Sequence, residues 1–139
     1  MNDKQIVKLY KWQENILPKL IPIKHRVPIS FKEAKLFANF VCSEQKFYMP
    51  KLKRKKLKRY IYAEFDHINY RIIINKRFKG LNRWVYLHEI AHIPYENYSI
   101  PDHGKRFVGF FIQLLSIYLE ISLETLKQSV IDYGLKYKM

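Results

Sequence analysis

Five consecutive residues near the middle of the chain have types and spacing that can do chemistry: His88, Glu89, Ile90, Ala91 and His92, an HExxH string. On a helix, residues four apart stand one turn apart on the same face. His88 and His92 can therefore offer two ring nitrogens to one metal ion. Glu89, one position on, can reach a water held by that metal and act first as general base, then as proton donor. Zinc suits these ligands and keeps a position open for water when the protein supplies three. Its charge draws the pKa of that water towards neutrality. The string is short, and the bland alternative is a surface helix carrying two unrelated histidines. Context favours the metal, because the string falls in a stretch that reads as a capped helix with a proline stop, and a third histidine follows it.

That histidine, His103, lies 11 residues after His92, beyond a loop and at the start of the next helix. Gly104 after it permits close backbone approach. His103 is the expected third ligand, since His25 and His67 precede the string in unrelated elements. Glu96, Glu120 and Glu124 remain as alternatives that would make a site of two histidines and one carboxylate. Tyr95 and Tyr98, in the intervening loop, are candidates to stabilise the oxyanion of a tetrahedral intermediate. The competing reading is that they are ordinary loop aromatics in a chain with 11 tyrosines. Arg106 is a weaker candidate to face the site.

The elements that must position these residues are legible from periodicity and punctuation. Residues 4–17 carry Ile6, Leu9, Tyr10 and Leu17 at helical spacing, and Pro18 is expected to stop that helix. Three prolines in residues 18–29 predict an irregular connection. Ser30 and Glu33 form a capping-box pattern ahead of a helix faced by Ala34, Phe37, Ala38 and Val41. Residues 60–65 and 70–75 read as two strands joined by a turn at 66–69. The strand nearest the HExxH helix, taken as residues 70–75, is expected to align a substrate as an added strand unless both edges of the hairpin are covered. Residues 82–93 form the HExxH helix, with Asn82 as N-cap and Pro94 as stop. A long amphipathic helix follows, with Phe107, Phe110, Phe111, Leu114 and Tyr118 on its buried face, and Ser122 caps a last helix ending near Gly134. The fold class is α+β, a small antiparallel sheet packed with helices in a single domain over residues 1–139.

From the HExxH helix onward, HEIAHIPYENYSIPDHGKRFVGFF resembles the SprT-like zinc metalloproteases, which combine HExxH with a downstream His-Gly-x-x-Phe/Trp segment opening a helix. The resemblance covers roughly residues 82–134 and implies a minimal zincin-like domain. It implies His88, His92 and His103 as zinc ligands and Glu89 as catalytic acid/base, with Phe107 at the aromatic position. The Ile93-Pro94 that follows the string departs from many relatives, and no C-terminal zinc ribbon is present. The family acts on proteins bound to DNA.

Composition sets the remaining bounds. With 139 residues, 48% of them hydrophobic, the chain can bury a core. Cys42 is its only cysteine, so no internal disulfide and no cysteine-based zinc site can form. No signal peptide or membrane-spanning run is evident, and the expectation is a soluble cytoplasmic protein with no membrane partner. The net charge of +14 attracts polyanions. It is densest at residues 51–59, where Lys51, Lys53, Arg54, Lys55, Lys56, Lys58 and Arg59 are flanked by Tyr48, Tyr60 and Tyr62. That run is a candidate grip for the backbone of DNA or RNA, or else a solvated loop. The leading expectation is a zinc metallopeptidase acting on a protein or peptide substrate. The alternatives are a basic nucleic-acid-binding protein whose zinc site is structural or vestigial, and a metal hydrolase that cleaves a bond other than a peptide.

Overall fold

The computed structural model describes residues 5–95 and 103–139. Among the described residues, six α-helices and three strands form an α+β protein, the expected fold class. The chain divides into two compact units, Val27–Ile93 and the combination of Met1–Arg26 with Pro94–Met139. No described helix is long and apolar enough to cross a membrane.

In the unit Val27–Ile93, helix α3 (Phe31–Glu44) opens on the expected capping box. The Ser30 hydroxyl accepts from the Glu33 N–H, and the Glu33 carboxylate accepts from the Ser30 N–H. Its buried stripe is Ala34, Ala38, Val41 and Cys42. Strands β1 (Lys51–Lys55), β2 (Ala63–Asp66) and β3 (Arg71–Asn75) make one sheet in the order β1-β3-β2. The hairpin β2–β3 is antiparallel as expected, but β1 joins β3 in parallel, so the sheet is mixed. The first five residues of the basic run are thus a strand and not a loop. Their pattern conceals it: only Leu52 is buried, and lysine or arginine fills the other four positions. β3 is the central strand, and Ile72, Ile73 and Ile74 are buried in succession, as a strand covered on both faces requires.

Asn75, fully buried at the end of β3, organises the rest of the basic run. Its Oδ1 accepts from the N–H groups of Leu57 and Arg77, and its Nδ2 donates to the carbonyls of Lys58 and Ile61. Helix α4 (Arg83–Ala91) packs on α3 and β2 and is buried from Trp84 to Ala91. Asn82 stands at its N-cap position as predicted, but its side chain makes no capping bond.

In the other unit, helix α1 (Ile6–Asn15) is followed by the single-turn helix α2 (Leu17–Leu20) and a 3-10 turn, Ile23–His25. Pro18 does not stop a helix here. α1 ends at Asn15, and Pro18 sits in the first turn of α2, where a missing N–H costs nothing. Helix α5 (Lys105–Leu119) supplies half of this unit's buried hydrophobic residues, among them Phe107, Phe111, Leu114, Leu115 and Leu119. The Trp12 ring packs edge-on against Phe111 at 6.5 Å, and its Nε1–H donates to Ser129 Oγ at 2.9 Å. Ser122 caps helix α6 (Leu123–Asp132), and Gly134 follows with φ 84°, as predicted for a helix stop.

Candidate metal centre

A helix buried on all sides has no polar stripe, so every polar side chain on it needs a partner or a purpose. Beyond half-buried Arg83 at its start and the Trp84 and Tyr86 rings, α4 carries three: His88, Glu89 and His92, the last at its C-cap. They are 3%, 5% and 8% exposed, and His103 is 4% exposed. Apart from tyrosine and tryptophan, only two other polar side chains are buried among the described residues, Gln13 and Asn75.

The helix sets the first pair. One turn apart, the His88 and His92 rings meet edge to face at 5.2 Å and 66°. His103 completes the group, with one ring nitrogen from each of the three histidines lying within 4.8 Å of the others. Nitrogens that close lie within reach of a single ion. The donor set therefore fits a metal ion, and three neutral imidazoles are ligands that zinc accepts.

Glu89 is the fourth buried group. Burial pushes its carboxyl up to about 8, and the negative charge of Glu64 on β2 pushes in the same direction. A cation held by the neighbouring histidines is the charge that would restore its ionised form.

Other residues surround these side chains without having been singled out by spacing. His67, in the turn after β2, places its ring edge-on to His92 at 6.2 Å, and Phe65 lies 6.5 Å from the same ring. Phe65 and His67 also contact each other at 4.9 Å. His67 is therefore not in an unrelated element, although only the fold of the hairpin against α4 reveals it. Around His103, the Tyr10 ring stands at 5.7 Å and the Phe107 ring at 4.9 Å.

The remaining candidates divide. Tyr95 donates its hydroxyl hydrogen to the Arg106 carbonyl at 3.1 Å, and burial holds its pKa above the ordinary value. Tyr98 and Glu96 lie outside the described residues. His25 and Lys24 both contact the Glu120 carboxylate, at 3.4 and 2.9 Å, so Glu120 is occupied at an exposed site. Glu124 is exposed, with Lys127 3.5 Å away. Neither belongs to the cluster. The basic side chains Lys51, Lys53, Arg54, Lys55, Lys56, Lys58 and Arg59 are all exposed, and the Arg54 guanidinium lies over the Phe31 ring at 4.8 Å. The expectation that residues 70–75 align a substrate does not hold: β3 is paired on both edges, with β1 and β2.

Compared with known proteins, the chain matches no protein-family model and no curated protein.

Proposed function

We propose that the chain is a zinc-dependent peptidase of the SprT-like kind, with His88, His92 and His103 as ligands and Glu89 as catalytic acid/base. The observation that carries this reading is the coincidence of three clustered imidazoles with a buried carboxyl on the same helix turn. A structural zinc site needs the ligands but has no use for Glu89, whose burial is costly. When bound, zinc supplies Lewis-acid polarisation of a water and of a substrate carbonyl. Glu89 would take the proton of the attacking water and pass it to the leaving amine. Burial of these side chains strengthens each of these charge interactions. Tyr95 would stabilise an oxyanion only by exchanging its bond to the Arg106 carbonyl for one to substrate. β2, the outer strand that packs on α4, takes over the alignment role expected of β3.

The test pairs metal content with activity. Wild type is expected to hold about one zinc per chain, and His103→Ala to lose most of it. Glu89→Gln is expected to keep the zinc and to cut peptide hydrolysis by a factor on the order of 10²–10⁴. No zinc in folded wild type supplied with the metal would sink the reading. The exposed basic run favours a second one, a nucleic-acid-binding protein with a structural metal, and there Glu89→Gln would leave function unchanged.

A further inference from the structure

His103 differs from the other two histidines in how it is held. His88 and His92 inherit their positions from α4, whereas His103 precedes Gly104, the N-cap of α5, and lies in no helix. Its backbone is held by a residue remote in the chain, which is itself bonded to another remote segment. The Gln5 side-chain amide donates to the His103 carbonyl at 3.1 Å and to the Lys136 carbonyl at 3.2 Å. The oxygen of the same amide accepts from the Lys136 N–H at 2.6 Å. One side chain thus clamps the histidine's backbone to the segment 135–139.

That segment is seated on the helix that His103 leads into. The Lys138 N–H donates to the Lys105 carbonyl at 2.9 Å. The Lys138 carbonyl oxygen lies against Gly109 of α5, where a Cβ would overlap it. A glycine inside a helix sacrifices helix propensity. Here the missing side chain is what lets the segment lie flat on α5.

Taking the metal-centre reading as its basis, we propose that residues 135–139 are a positioning strap for the third ligand. Docked over Gly109 and clamped through Gln5, the strap fixes His103 for metal binding, so docking of the strap and occupancy of the site are coupled. Coupling of this kind is reciprocal: metal must hold the strap down as firmly as the strap holds the ligand. Gln5 and Gly109 are positioning residues in this scheme, since neither reaches the metal.

The experiment measures zinc affinity of the full chain by competition with a chromophoric chelator, for wild type, Gly109→Ala and Gln5→Ala. Groups that orient a ligand typically contribute 10–100-fold to metal affinity, and both variants are expected to weaken zinc by a factor in that range. Ser30→Ala, which removes a helix cap in the other unit, is the control for general destabilisation and is expected to bind zinc as wild type does. Zinc is also expected to slow tryptic cleavage after Lys136 and Lys138 in wild type but not in His103→Ala. If Gly109→Ala fails to fold, Gln5→Ala carries the test alone. Wild-type zinc affinity in the folded variants, or cleavage indifferent to zinc, would overturn the strap while leaving the metal centre intact. Absence of zinc binding in wild type would instead overturn the metal centre, and the strap with it.

Discussion

Asp66 shows how much one carboxylate can organise. It accepts from the backbone N–H groups of Ile68 and Asn69, from the Asn69 side chain at 3.0 Å and from Arg71 Nε at 2.8 Å. These donors, the Asn69 side chain foremost and then Arg71, hold its carboxyl at about 2, against an ordinary 3.8. Because the folded value is the lower one, the ionised form stabilises the fold. That contribution is fully present above 3.8 and is lost as pH falls through the folded value near 2. Asp66→Asn is therefore expected to lower the urea midpoint at pH 7, with the difference from wild type closing as pH drops to about 2. An unchanged midpoint at pH 7 would remove Asp66 from the account of this hairpin. The turn that it builds carries His67 to the His92 ring, so the same carboxylate helps shape the surroundings of the candidate centre.

At the scale of elements, the capping box was the most legible signal because it acts within one turn. Ser30 and Glu33 announced α3 locally, and the two hydrogen bonds are there. Ser30→Ala is expected to cost about 1 kcal/mol in chemical denaturation, the usual value of an N-cap; a cost near zero would mean that α3 is held by packing alone. The HExxH helix was equally legible, because two histidines four apart need only a helix to meet. What spacing could not show is contact between distant segments. Gln5 and His103 are 98 residues apart, and no local pattern links a glutamine before one helix to a histidine before another. β1 was missed for a different reason: four of its five residues are basic, and a strand with one apolar residue has no alternation to detect. Pro18 misled because a proline marks the first turn of a helix as readily as its end.

At the scale of the molecule, the net charge of +14 gives no information on fold, and the sheet shows where part of it is spent. Side chains alternate along a strand, so Lys51, Lys53 and Lys55 share one face of β1, opposite buried Leu52. Its inner edge is taken by β3, and among the described residues no strand pairs with its outer edge. An open edge of this kind is a template on which a second copy of the chain can add its own strand, growing fibres from folded protein. Lysines there make each such encounter a meeting of like charges. Replacing the three with threonine, a good strand former, is expected to convert a monodisperse solution into one that scatters light within hours at micromolar concentration. In wild type the same tendency is expected to emerge only at molar salt, where charges are screened beyond about 3 Å. If the threonine variant stays monodisperse, the lysines have no such role. If it aggregates, the most conspicuous charge in this chain serves to keep neighbouring copies apart.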